Sequence, residues 1–299
     1  MTAPQQSGTG RPAFPLAWGP GGLDTGGRPL VMAVLNVTPD SFYDGGRWVD
    51  PAAAVERGLQ MLDDGADMVD VGGESTRPGS HPVDSSEELE RVVPVIEALH
   101  RRAPEALISV DTNKAEVADA ALDAGAAVIN DISGLTFDPS MAALAARRDA
   151  GLVLMHIRRR PAEMQRDPAY ADVVEDVAAF LTDALSRALA AGVDEERIAL
   201  DPGIGFGKTL EHNLALINRL DRLHRLGRPV LAGLSRKSFI GALLGNEPGA
   251  RLAGSLGAAV AAAVHGAHLL RVHDVKETVE ALKVAEAIAA GTAPDSGER

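Results

Sequence analysis

Asp201-Pro202-Gly203-Ile204-Gly205-Phe206-Gly207-Lys208 sets a carboxylate and an ammonium at the two ends of a glycine-thinned turn. The apolar run Ile198-Ala199-Leu200 precedes it and a helical pattern follows Thr209, so the carboxylate stands where a strand ends. A carboxylate in that position suits a flat polar ligand held by its edge. Gly207-Lys208-Thr209 imitates the close of a nucleotide P-loop. That motif needs a glycine five residues before the Gly-Lys pair, and Pro202 stands there, so the P-loop reading fails. A plain turn after a strand is the competing reading. Similar polar residues end the other apolar runs: Asn36, Asp70 with Glu74, Asp111, Asn130, His156, Ser235-Arg236-Lys237, and Arg271 with His273 and Asp274. Partly buried polar groups cost free energy unless matched, so a whole ring of them points to a ligand rather than to stability.

The ring's composition states what it can hold. Asp111, Asn130 and Asp201 offer acceptors and an amide, suited to the fused N–H edge of a heterocycle. Arg271 and Lys237 suit the face of that heterocycle or anionic oxygens. Arg271 with His273, and Asn36 across the mouth, suit a diphosphate, with a Mg2+ sharing the side-chain oxygen of Asn36. His156 reads as structural, and His265 and His268 lack a third ligand for zinc.

The elements that must position these residues follow one rhythm. Apolar runs at 30–36, 67–72, 107–111, 127–131, 151–156, 198–201, 229–234 and 268–272 predict strands. Helical patterns lie between them at about 51–65, 84–103, 114–125, 138–149, 170–192, 211–226, 249–265 and 275–290. Strict alternation of strands and helices predicts a (β/α)8 TIM barrel. A doubly wound open sheet is the alternative, but no G-x-G-x-x-G follows the first run. Phe14–Trp18 and Leu23-Asp24 flank Gly19-Pro20-Gly21-Gly22, which predicts a short N-terminal hairpin plugging one end. The expected organisation is a mobile segment at 1–13, a barrel domain at 14–291 and a frayed tail at 292–299. The connections Val37–Val49 and Gly73–Val83 are longer than such turns need and read as mobile lids over the site.

Composition narrows the class. A net charge of −13 over 299 residues argues against nucleic acid as a partner, although a local cluster of Arg and Lys can still take a small anion. The chain contains no cysteine, which removes disulfides, thiolate metal sites and thiol nucleophiles. Met1–Phe14 lacks the order of a signal peptide. The longest apolar run, Leu252–Val264, is too short to cross a membrane. The expectation is a soluble, cytoplasmic protein.

The spaced motifs also match a known family. Leu35-Asn36-Val37-Thr38-Pro39-Asp40-Ser41-Phe42-Tyr43-Asp44-Gly45-Gly46 resembles the first signature of the dihydropteroate synthases. Asp70-Val71-Gly72-Gly73-Glu74-Ser75-Thr76-Arg77-Pro78-Gly79 resembles the second. The resemblance continues through Ser109–Thr112, Ile129–Asp131, Asp201–Lys208, Ser235–Ser238 and Arg271–Asp274, in the family's order from Pro29 to Ile288. It departs after the fifth strand, where the family's Met-His-Met, polar residue, Gly-Thr-Pro reads Met155-His156-Ile157-Arg158-Arg159-Arg160-Pro161. Three arginines there either draw in anionic substrates or form a solvated loop.

The resemblance implies a transferase that joins 6-hydroxymethyl-7,8-dihydropterin diphosphate to 4-aminobenzoate and releases diphosphate. It implies pterin binding by Asp111, Asn130, Asp201, Lys237 and Arg271, with Asp111, Lys237 and Arg271 in the catalytic roles. Diphosphate then falls to Asn36, Thr76, Arg271 and His273 with Mg2+, and 4-aminobenzoate to Thr76, Arg77, Pro78, Phe206 and Ser238. A homodimer is also implied, for which the Ala/Gly-rich 252–264 helix is the candidate surface. Rival readings are a pterin-dependent methyltransferase, a glycosidase, a Schiff-base aldolase using Lys237, and a pterin-binding module without catalysis.

Overall fold

The eight apolar runs form eight parallel strands in a computed structural model that describes residues 11–38, 50–76, 80, 82–245 and 250–291. These are β1 (Leu30–Asn36), β2 (Met68–Gly72), β3 (Leu107–Asp111), β4 (Val128–Asp131), β5 (Gly151–Met155), β6 (Ile198–Asp201), β7 (Leu231–Gly233) and β8 (Leu269–Val272). They pair in the order β6-β5-β4-β3-β2-β1-β8-β7. A parallel bridge between Leu200 and Val230 brings the two ends together, with Leu200 N–H donating to Pro229 O at 2.9 Å. The fold is the expected (β/α)8 barrel.

Helices surround it: α1 (Pro51–Asp63), α2 (Ser85–Arg102), α3 (Ala115–Asp123), α4 (Met141–Arg147), α5 (Val173–Ala190), α6 (Leu210–Asn218), α7 (Ser238–Leu244), α8 (Leu252–Val264) and α9 (Val275–Ala290). Several of their starts are capped by side chains that satisfy otherwise orphaned N–H groups. Asp50 accepts from Ala52 N at 2.9 Å, Asp84 from Glu87 N at 2.8 Å, and Asp172 from Val174 N at 2.8 Å. In α2 the buried face is Val92, Val95, Ile96 and Leu99, the spacing of a single helical stripe.

Two corrections apply to the expected elements. The helix at 211–226 is α6 followed by a 3-10 helix over Leu220–Leu226. Leu216, Leu220 and Leu223 are all buried, so apolar periodicity runs unbroken through both and conceals the change of winding. The expected helix at 249–265 is α8, but α7 precedes it as a separate short helix ended by Gly245 in the left-handed region at φ +66°. A seven-residue helix offers too little periodicity to read from sequence.

The core has two layers. Outward-facing strand residues such as Val31, Ala33, Val69, Val71, Ile108 and Val110 pack under the helices. Inward-facing Leu30, Met32, Met68, Val128, Val153, Ala199, Leu231 and Leu269 fill the barrel, joined from below by Leu16 and Trp18. The N-terminal segment does close one end. It reverses direction with Leu23 N–H donating to Leu16 O at 2.8 Å, a bend without a strand ladder. Trp18 Nε1 donates to Arg197 O at 2.8 Å. Among the described residues the packed segment reaches back to Arg11, whose buried guanidinium donates to Ala267 O at 3.1 Å and to Gly27 O. Of the two long connections, residues 39–49, 77–79 and 81 lie outside the described residues.

Candidate active site

Alternation along the strands decides which residues reach the site. In a strand, residues two apart share a face. Met32 faces inward on β1, and Asn36 is on the same face; Leu107 leads likewise to Asp111, Val128 to Asn130, Ala199 to Asp201 and Leu269 to Arg271. Each of these five strands therefore puts apolar residues in the filled interior and a polar one at its carboxyl end. Register aligns them. Asn36 pairs with Gly72, Gly72 with Asp111, and Asp111 with Asn130, so these residues form one rung across β1 to β4.

The polar residues are bonded to each other. Arg271 Nε donates to Asp70 Oδ2 and Arg271 Nη2 to Asp111 Oδ2, both at 2.6 Å. Asn130 Nδ2 donates to the same Asp70 oxygen at 2.9 Å. Asp70, fully buried, thus orients two ligand-facing residues from strands on either side of it. Its other oxygen, Oδ1, is buried without a hydrogen-bond partner among the described residues. Asp201 Oδ1 accepts from Gly203 N at 2.7 Å. Lys237 Nζ donates to Ile204 O and lies 4.7 Å from the centre of the Phe206 ring. Its neighbour Arg271 shares the space that Gly233 leaves by lacking a side chain.

Burial shifts the charges. It pushes Asp111 up to about 7, with Arg271 opposing and Asp70 adding to the rise. Burial also raises Asp201, against Lys237 and the Gly203 N–H. Lys237 goes down to about 8, burial outweighing the attraction of Asp201. Arg271 loses hydration by burial as well, yet Asp70 and Asp111 more than compensate and hold it charged. The cluster thus brings Asp70, Asp111 and Asp201 to one rim with Lys237 and Arg271.

The remaining site residues lie around this cluster. His273 Nδ1 is 3.1 Å from Ser235 Oγ, which also accepts from His273 N–H at 3.3 Å. The Asn36 side chain has no hydrogen-bond partner among the described residues, and Thr76 is half-buried. Ser238 is exposed at the first turn of α7. Arg77 and Pro78 lie outside the described residues. His156 is buried and its Nδ1 lies 2.9 Å from Lys208 Nζ. In the arginine loop, Arg158 stacks over Tyr170 at 4.3 Å and Arg160 over Phe137 at 4.5 Å.

Two residues gained no assigned role from the sequence. Asp70 is visible in retrospect because it is two residues on from inward-facing Met68. Lys208 carries no such signal, since a lysine after a glycine turn is ordinarily solvated.

Eight parallel strands whose carboxyl ends present one bonded polar cluster define a barrel enzyme with its site at that rim. The model of the pterin binding enzyme family matches residues 32–273, and the chain belongs to that family. The dihydropteroate synthase of Escherichia coli (strain K12) is 49% identical over 260 residues, 87% of this chain and 92% of that protein. The Thermus thermophilus dihydropteroate synthase, solved in complex with 4-aminobenzoate, is 46% identical, with a TM-score of 0.81 over 92% of this chain and 99% of that one. The Xanthomonas albilineans dihydropteroate synthase, solved in complex with 7,8-dihydropteroate, is 46% identical with a TM-score of 0.79, covering 88% and 94%.

Proposed function

We propose that this chain is a dihydropteroate-forming transferase: it condenses 6-hydroxymethyl-7,8-dihydropterin diphosphate with 4-aminobenzoate and releases diphosphate. The observation that carries the reading is the bonded set Asp70, Asp111, Asn130 and Arg271 at the strand ends, in a chain of the pterin binding enzyme family. The two relatives solved with 4-aminobenzoate and with 7,8-dihydropteroate support it.

In this reading Asp111, Asn130 and Asp201 hold the pterin edge, Lys237 meets it from the Phe206 side, and Arg271 lies against its face. The carbon–oxygen bond to the diphosphate breaks as the electron-rich dihydropterin spreads the charge left on its methylene. Asp70, Asp111 and Asp201 stabilise that cation by preorganised charge. The amine of 4-aminobenzoate, set against the apolar wall of Phe206, then attacks the methylene and loses a proton. Asn36, Thr76, Arg271 and His273 take the diphosphate, and Ser238 joins Phe206 at the amine site.

The donor set at Asn36 is a single amide oxygen, and no group of three His, Cys, Asp or Glu able to hold a metal occurs among the described residues. Asn36 would offer its side-chain oxygen to a Mg2+ bound together with the diphosphate. When bound, the ion would offset charge growing on the leaving group.

The reading includes a cytoplasmic homodimer. Leu243 and Leu244 of α7, Leu252 and Val264 of α8, and Val284 and Ile288 of α9 expose large apolar side chains on helices that pack together. Light scattering should give twice the chain mass; a monomer at micromolar concentration would remove this part of the reading.

The activity is tested by following diphosphate release. Release is expected to require both substrates and to yield 7,8-dihydropteroate in equal amount. Release from the pterin diphosphate alone at the same rate, or none with both, would contradict it.

A further inference from the structure

Lys208 is 4% exposed, an unusual state for a lysine. Its Nζ donates to Gly203 O at 2.8 Å and to Phe206 O at 3.0 Å, and lies 2.9 Å from His156 Nδ1. Three acceptors meet the three N–H donors of an ammonium. Burial, with Lys208 adding to it, drives His156 down to about 2, so the imidazole is neutral and its Nδ1 is free to accept when the proton sits on Nε2. Burial lowers Lys208 itself, with Asp201 opposing.

The turn that Lys208 ties has little shape of its own. Gly203 and Gly205 adopt φ +67° and +84°, conformations that glycine visits freely and therefore does not hold. A side chain at Gly203 would lie 2.0 Å from His156 O, so the turn presses directly on the end of β5. On its other side the turn presents Phe206 and the Ile204 carbonyl that Lys237 engages. A Cβ on Gly205 would come within 2.9 Å of the Lys237 side chain. Asp201 precedes the turn and is held by the β6 ladder with β5.

We propose that Lys208 is a positioning residue for the amine half of the reaction, pinning the 203–206 turn so that Phe206 stands where the arylamine is received. The proposal rests on the activity stated above. Lys208 acts from behind the turn and touches neither substrate.

Steady-state kinetics and calorimetry on the full chain separate this from a purely structural role. In Lys208→Met the KM for 4-aminobenzoate should rise about tenfold or more, while affinity for the pterin diphosphate changes by less than about threefold. Lys208→Gln keeps two of the three N–H donors and should fall between; it replaces the Met variant if that one does not fold. Because the chain has no cysteine, Lys208→Cys alkylated with 2-bromoethylamine restores a lysine-length ammonium at this position alone. That protein should recover the wild-type KM. Equal loss of both substrates, or an unchanged KM for 4-aminobenzoate in the variants, would overturn the positioning role while leaving the activity standing. Absence of turnover in the wild-type chain would overturn the activity and, with it, this inference.

Discussion

Asp111 and Lys237 flank Arg271 with their protonation moved toward neutral pH from opposite directions, one raised to about 7 and the other lowered to about 8, burial being the main cause for both. The mechanism needs Asp111 as the carboxylate and Lys237 as the ammonium. Activity therefore rises as pH increases through about 7 and falls as it increases through about 8. The expected kcat/KM profile is a narrow bell between those limits, and the two limbs belong to the interacting cluster rather than to isolated groups. Lys237→Arg should remove the alkaline limb. A profile flat from about pH 6 to 9 would show that neither group titrates in the working site. Much of this site was legible residue by residue. Asp111, Asn130, Asp201 and Arg271 each follow an apolar run, and a polar residue at that position has few structural reasons to exist. What the Asp70 carboxylate does was not legible, because its partners come from β4 and β8, and only closure of the barrel brings them to it.

Among the elements, the N-terminal bend shows how a segment outside the βα rhythm supports the site from the far end. Trp18 is buried against the inward-facing layer that also contains Val128, Ala199 and Leu269, each two residues before Asn130, Asp201 or Arg271. Trp18→Ala should cost about 3–5 kcal/mol of stability in urea denaturation, the usual loss for a large buried aromatic. Because the site lies at the opposite rim, KM values should stay close to wild type in the protein that remains folded. Stability unchanged within about 0.5 kcal/mol would mean the indole does not serve as a plug. The strands were legible to within a residue or two because short apolar runs bounded by polar ends have one reading in this context. The break between α6 and the following 3-10 helix was not, since the buried leucines keep their spacing across it. The separate α7 was missed because seven residues are too few to show a period.

For the whole molecule, the order of strands and the filled interior follow from alternation and register, and both were present in the sequence as eight runs of the right length. The family signatures reach further than the described residues do: Arg77, Pro78 and most of the first long connection carry sequence motifs, while their place in the fold is not described. The net charge of −13 contrasts with the cationic side chains of Lys237, Arg271 and the Arg158–Arg160 loop near the carboxyl-end rim. The central claim is that strand ends distant in sequence converge to grip one pterin. It is tested most directly by a crystal structure of the protein with 6-hydroxymethyl-7,8-dihydropterin diphosphate. The account predicts the pterin edge on Asp111, Asn130 and Asp201, with Arg271 on its face and the diphosphate toward Asn36 and His273. A pterin seated elsewhere, or its ring edge facing away from those three side chains, would contradict it.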